Sequence, residues 1–183
     1  MSEISERYAR RAEAFAEKVA AVPDDAWSNP SPCEEWTARD IVRHVVDTQG
    51  MFLGFVGREL GEVPSVDDDP EGAVRAATGT IQQDLEDPGR AAETFEGMMG
   101  TQSFEAAVDQ FLSADLVVHG WDLARATGQD DTIPAEDLVH LEEGVKEFPD
   151  EAMRSPGAFG PEIEVPDGAS EQDKLLAFLG RQP

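Results

Sequence analysis

Apolar residues recur through most of this chain at the three- and four-residue spacing of an amphipathic α-helix. The first segment with this spacing ends at Pro23, which an acidic pair follows. No stretch of the sequence has the pattern of a β-rich domain. The apolar positions of the first predicted helix are Tyr8, Ala12, Phe15, Ala16 and Val19. The pattern therefore predicts a helical protein.

Two further helices are predicted from their start signals. Thr37, followed three residues later by Asp40, is close to a capping box, and the helix that it opens is predicted through residue 60. Asp69, followed by proline at the first helical position, is a strong start for a third helix. Its apolar residues lie at positions 74, 77, 81 and 85, and it is expected to end near Asp87.

A long fourth helix is predicted over residues 104–127. It is expected to close at Gly128, because glycine readily adopts the left-handed conformation that ends many helices. In the preceding residues, 89–103, apolar positions do not recur at a regular spacing. This segment is interpreted as an extended crossing over one end of a bundle.

Two shorter helices are expected near the C-terminus. One begins at Pro134 and covers residues 135–148, and the other covers 174–180, where Ser170 and Asp173 form the cap. Together the pattern predicts an all-α four-helix bundle with long crossover connections and short additional C-terminal helices. A single domain over residues 1–183 is expected from the length.

Charge is the most unusual bulk property of the sequence. The 14 basic and 39 acidic residues give a formal net charge of −25. Such a surface repels phosphate backbones and anionic membranes, so nucleic acid and membranes are not expected as partners. Strong hydration of acidic side chains and adaptation to a salt-rich cytoplasm are both compatible with this charge.

Cysteine use and hydropathy predict the compartment. The single cysteine, Cys33, rules out an internal disulfide and fits a reducing cytoplasm. The N-terminal residues lack the apolar region of a secretory signal, and no apolar run approaches the roughly 20 residues of a bilayer span. We therefore expect a soluble cytoplasmic protein.

Titratable residues fall on the inner stripes of two predicted helices. His44 shares the apolar stripe of the second helix, and Asp115 and His119 lie four residues apart on the stripe of the fourth. An ionised carboxylate inside a core is costly unless it is paired or bound to a metal. One interpretation is therefore a buried hydrogen-bonded cluster without metal. The other is a three-ligand site for Zn²⁺, Ni²⁺ or Fe²⁺ with one position open.

Several neighbouring residues have two interpretations each. Asp122 lies three residues after His119 and either accepts the other ring N–H of that histidine or pairs with Arg125. Asp47 bears the same relation to His44, or is simply solvated.

Five other residues are given structural interpretations. Cys33 is interpreted as an inert buried loop thiol, Trp36 as a core anchor and His140 as a surface or structural histidine. Arg43 and the nearby Arg39 are interpreted as helix-surface residues, although either could meet an anionic thiol.

Two segments resemble a known family. SPCEEWTARDIVRHVVD and SADLVVHGWDLARATGQ resemble the signature regions of the DinB-like metal-binding helical bundles, and most closely the branch related to the mycothiol-dependent maleylpyruvate isomerase N-terminal domain. The C-terminal FGPEIEVPDGASEQDKLLAFLGRQP resembles the tail of a small actinobacterial-type subgroup of that branch. The resemblance spans nearly the whole chain.

The resemblance implies a DinB-like bundle that holds a divalent metal, usually zinc, near one end. Its ligands would be His44, Asp115 and His119. Many members of the superfamily have histidine at the Asp115 position and the isomerase has glutamate, so the shorter aspartate either binds directly, acts through water or supports the other ligands.

The resemblance also implies a function. A thiol-dependent S-transferase or isomerase is expected, with a low-molecular-weight thiol such as mycothiol or bacillithiol as cosubstrate and a small electrophile as substrate. A non-catalytic metal-binding or sensor module and a metal-dependent hydrolase remain as alternatives. No catalytic acid is assigned, and the oligomeric state, including a homodimer, is left open.

Overall fold

Helices account for most of the chain in the computed structural model, which describes residues 2–97, 100–146 and 159–183. The predicted all-α class is confirmed, with one small two-stranded sheet. The chain divides into two compact units, Met1–Asp130 and Asp131–Pro183. The single domain expected over residues 1–183 stays a prediction.

The first unit is built from long helices around one hydrophobic core. Helix α1 spans Glu3–Ala20, α2 spans Ala38–Phe55 and α3 spans Pro70–Glu86, and a fourth helical stretch covers Phe104–Thr127. Both α1 and α2 pack against α3 and against the fourth stretch, which is the arrangement of a four-helix bundle. The largest side chains buried in this core include Tyr8, Phe15, Phe104, Ile41, Leu53, Ile81, Leu112, Leu116 and Leu123.

Both predicted start signals are confirmed. The Thr37 hydroxyl accepts from the Asp40 backbone N–H and the Asp40 carboxylate accepts from the Thr37 N–H, which completes the capping box of α2. Asp69 caps α3 by accepting from the N–H of Gly72, with Pro70 in the first turn.

Helix α2 ends five residues earlier than predicted. Its last residue is Phe55, because Gly57 has a φ of 69° in the left-handed region. The Arg58 N–H then donates to the Leu53 carbonyl at 2.9 Å. The apolar pattern continues past this point, which is why the sequence predicted a longer helix.

The segment predicted as an extended crossing contains regular structure. It begins with the short helix α4, Pro88–Ala91, and continues as an antiparallel hairpin of β1, Thr94–Gly97, and β2, Gly100–Ser103. The buried Asp84 carboxylate, on α3, receives hydrogen bonds from Arg58 and Arg90. These ion pairs join α3 to the segments that flank the hairpin.

The fourth helical stretch is not a uniform α-helix. It consists of α5, Phe104–Ala107, a π-helical turn at Val108–Leu112, and α6, Ser113–Thr127. Within the π turn, Asp109 forms two hydrogen bonds with Arg7 of α1, at 2.8 and 2.9 Å. The turn adds a residue to the helical repeat and so changes which side chains of α6 face the bundle. The predicted closing glycine, Gly128, has a φ of 73°.

The second unit contains α7, Ala135–Lys146, and α8, Glu171–Phe178, which pack against each other. The Ser170 hydroxyl accepts from the Asp173 N–H, as predicted. Residues 147–158, part of the predicted helix and irregular crossing, lie outside the described residues. Nowhere in the described part of the chain does a helix combine the length and hydropathy needed to span a bilayer.

Candidate metal centre

His44 is held on α2 between two residues of the core. Ile41 and Val45 have no exposed surface, so this face of α2 points into the bundle. The His44 side chain itself is 33% exposed. Thr48, one turn later, donates to the His44 carbonyl at 2.8 Å and places its hydroxyl 3.4 Å from Nε2 of the imidazole.

Asp115 and His119 meet His44 from α6. Asp115 Oδ1 lies 3.3 Å from Nε2 of His119 and 3.6 Å from Nε2 of His44. The three ligand atoms all lie within 4.8 Å of one another. The structure therefore brings together the three residues that the sequence singled out.

Asp122 contacts the other ring nitrogen of His119. Its Oδ2 lies 2.9 Å from Nδ1, and its side chain has no exposed surface. Of the two interpretations of Asp122, the structure shows the contact with His119. Asp47 is exposed, and among the described residues no hydrogen bond joins it to His44, so its role beside that histidine stays a prediction.

Cys33 is the residue of this cluster that the sequence interpretation missed. Its Sγ donates to Asp122 Oδ2 at 3.3 Å, and it forms a second candidate ligand group with His119 and Asp122. The thiol is half-buried rather than sealed in the core. The sequence interpretation therefore overestimated the burial of this thiol, whereas its inertness stays a prediction. The contact with Asp122 could not be expected, because 89 residues separate the two and no local spacing indicates it.

Trp36 lies against both imidazoles. Its ring centroid is 4.8 Å from that of His44 and 5.9 Å from that of His119. The preceding residue, Glu35, has a φ of 67°, in the left-handed region that few glutamates adopt. Trp36 is therefore part of the wall of the candidate site as well as an anchor of the core.

Burial and charge act in opposite directions on the ionisable groups. Burial alone would raise the pKa of Asp115, but the charge of His119 and the polar contacts of both imidazoles outweigh it and hold that pKa well below its usual range. Burial would lower the pKa of His119, but the Asp115 charge and the contacts with Asp122 and Cys33 raise it well above its ordinary value. Burial, with a smaller contribution from Asp115, also raises the pKa of Tyr8.

The geometry of the cluster fits a divalent ion. Asp115 Oδ2 is buried without a hydrogen-bond partner, which is costly for a carboxylate oxygen. In a tetrahedral zinc site, with bonds of about 2.0–2.1 Å, neighbouring ligand atoms lie about 3.3 Å apart. The contacts of Asp115 with the two imidazoles are close to that spacing. Two histidines and one carboxylate also leave a fourth position open for a small ligand.

The remaining candidates lie elsewhere. Arg39 donates to the Val66 carbonyl at 2.6 Å, and Arg43 contacts Asp67 at 2.8 Å, so both attach α2 to the loop before α3. His140 lies half-buried on α7 of the second unit.

Comparisons with known proteins are consistent with this geometry. A family model described as the mycothiol maleylpyruvate isomerase N-terminal domain matches residues 8–124, a range that contains every residue of the cluster. The chain is 31% identical, over 173 residues, to the uncharacterized proteins MT0763 and Rv0738 of two Mycobacterium tuberculosis strains, and the match covers 94% of each chain. No solved structure is significantly similar to it.

Proposed function

This chain belongs to the family of the mycothiol maleylpyruvate isomerase N-terminal domain, within the DinB-like superfamily, and on that premise we propose that it binds one divalent ion through His44, Asp115 and His119. The observation that carries the proposal is the buried, unpartnered Oδ2 of Asp115, because it lies beside two imidazoles that approach the other oxygen of the same carboxylate. Zinc is the proposed ion, and Ni²⁺ and Fe²⁺ suit the same donors.

The proposed activity is thiol-dependent S-transfer or isomerisation on a small electrophile in the cytoplasm. A bound divalent ion would supply the acidity that turns a coordinated thiol into a thiolate near neutral pH. The thiol would be of low molecular weight, such as mycothiol or bacillithiol. The open fourth position would serve either reaction, and the family supports this one over hydrolysis.

The side chains around the site have separate tasks in this proposal. Asp122 keeps the hydrogen of His119 on Nδ1, so that Nε2 is free to bind the ion. Asp115 supplies the negative charge that the two neutral imidazoles lack. Trp36 lies against both rings at tilted angles and would limit the access of water to the ligands.

Metal content tests the first part of the proposal. We expect close to one zinc per chain in protein purified without a histidine tag and reconstituted with zinc. His44→Ala and His119→Ala should lose the metal, whereas His140→Ala, which removes the remaining histidine, should retain it. A stoichiometry near zero in the reconstituted protein would instead favour a metal-free buried cluster.

Catalytic turnover tests the second part of the proposal, the thiol-dependent activity. The zinc-loaded protein should accelerate the addition of a low-molecular-weight thiol to a model electrophile over many turnovers, and His119→Ala should abolish the acceleration. Metal binding with no acceleration over the uncatalysed reaction would assign the chain to the non-catalytic metal-binding alternative.

A further inference from the structure

The stripe of α2 that carries His44 continues as an exposed apolar surface. Thr48, Met51 and Phe55 follow His44 at i+4, i+7 and i+11, so all four lie along one line of the helix. Met51 is 53% exposed and Phe55 is 47% exposed. In the described part of the first unit, these are the large apolar side chains that stand exposed.

Aromatic rings hold Phe55 in place from behind. The Phe55 ring stacks on Phe95 of β1, with centroids 5.2 Å apart, and lies 5.3 Å from Phe52. Phe111, in the π turn and four residues before Asp115, lies 5.8 Å from Phe52. We name Met51, Phe55 and Phe111 the apolar strip. It borders both ligand-bearing helices.

The strip lies within reach of a small molecule at the ligand cluster. At about 1.5 Å per residue, Met51 is about 10 Å and Phe55 about 16 Å along α2 from His44. Phe111 is about 6 Å from Asp115 along its own helix. A molecule whose reactive end lies at His44 and Asp115 would therefore lay its other end over the strip.

The exposed area favours a small molecule over a protein. Met51 and Phe55 together expose on the order of 200 Å², whereas a stable interface buries about 800 Å² on each partner. The net charge of −25 disfavours an anionic occupant. Low-molecular-weight thiols of the sugar and peptide types are polar, so an apolar surface does not suit them.

We propose that the apolar strip binds the alkyl or aryl group of the electrophile, so that the substrate is a neutral electrophile with an apolar substituent. This inference rests on the proposed function, since it takes the reacting end of the substrate to lie at the ligand cluster.

Chain-length dependence of binding tests the proposal. The probes are hexano-, octano- and decanohydroxamic acid, whose head group chelates zinc and whose tails differ only in methylenes. Calorimetric titration into the zinc-loaded full chain should show affinity rising about threefold per methylene, as expected when most of each methylene is buried. The zinc-free chain should bind all three more weakly with the same dependence on length.

Substitutions within the apolar strip test whether the strip causes the dependence of affinity on chain length. Phe55→Asn and Met51→Gln should flatten the dependence on chain length, whereas Phe55→Leu and Met51→Leu, which keep an apolar side chain, should preserve it. Thermal melts report whether each variant stays folded. An unchanged slope in folded Phe55→Asn, or a flat series in the wild-type chain, would overturn the proposal.

The two proposals fail in different ways. A length-dependent series that is indifferent to zinc would count against the metal site and leave the strip standing. Zinc-dependent binding whose affinity does not change with chain length would overturn only the proposal on the apolar strip. A flat series together with a concentration-dependent dimer that Phe55→Asn abolishes would assign the strip to a second copy of the chain.

Discussion

Asp122 Oδ2 lies 2.9 Å from Nδ1 of His119, and its side chain is completely buried. Because a carboxylate only accepts hydrogen bonds, this contact keeps a hydrogen on Nδ1. In the neutral imidazole, Nε2 then has a free lone pair directed at Asp115 and His44. The tautomer that a metal requires is therefore set by one carboxylate.

Asp122→Asn should weaken zinc binding by roughly 10- to 100-fold. The amide can donate to Nδ1, which would favour the hydrogen on Nε2, where the ion has to bind. Competition with a chromophoric chelator measures the affinity. Asp68→Asn is the control, since Asp68 is exposed in the loop before α3, and it should bind zinc as the wild type does. Equal affinities in the two variants would contradict the role given to Asp122.

Cys33 should act on the metal through Asp122. Cys33→Ala removes the donor to Asp122 Oδ2 and should weaken zinc binding several-fold, whereas Cys33→Ser keeps a donor and should stay close to the wild type. The same competition assay compares the two. If the serine variant is as weak as the alanine variant, the thiol contributes by packing or by ligation and not as a hydrogen-bond donor.

The capping box of α2 should stabilise the helix that carries His44. Thr37→Ala removes the acceptor for the Asp40 N–H and should lower the free energy of unfolding by about 1 kcal/mol in urea titrations. Thr37→Ser retains the hydroxyl and should lie within a few tenths of a kcal/mol of the wild type. A loss of the same size in both variants would mean that the methyl group, not the cap, is responsible.

The stability of the metal-free protein should depend on pH through Asp115 and His119. The pKa of His119 is raised in the folded state. Its contribution to stability is therefore complete below the pKa of the unfolded state, about 6.5, and is lost as the pH rises through the pKa of the folded state. The pKa of Asp115 is lowered, so its contribution is complete above about 3.9 and is lost on acidification through the folded value.

The Asp115–His119 pair should therefore contribute most to the free energy of unfolding between about pH 4 and 6.5. The measurement is the difference in free energy of unfolding between the wild type and His119→Gln, both stripped of metal by a chelator. That difference should shrink as the pH is raised through the alkaline range. A difference that stays constant up to high pH would show that His119 is not stabilised as an imidazolium.

The sequence predicted the elements whose signals are local. Thr37 with Asp40, Asp69 with Pro70, and Gly128 each act on a backbone within a few residues, so their effect is readable without the fold. The stripe positions of Asp115 and His119 follow from the helical period in the same way. His44 on the stripe of another helix already completed a candidate three-ligand set, and the family resemblance then favoured metal binding over a metal-free cluster.

The tertiary structure alone decided the surroundings of the cluster. The contact of Cys33 with Asp122, that of Trp36 with His119 and the ion pair of Asp84 with Arg58 all join residues far apart in the chain. Asp109 of the π turn likewise pairs with Arg7, more than a hundred residues earlier in the chain. Helix propensity and capping are local energies that a sequence displays directly, whereas these contacts exist only because packing of the core brings distant segments together.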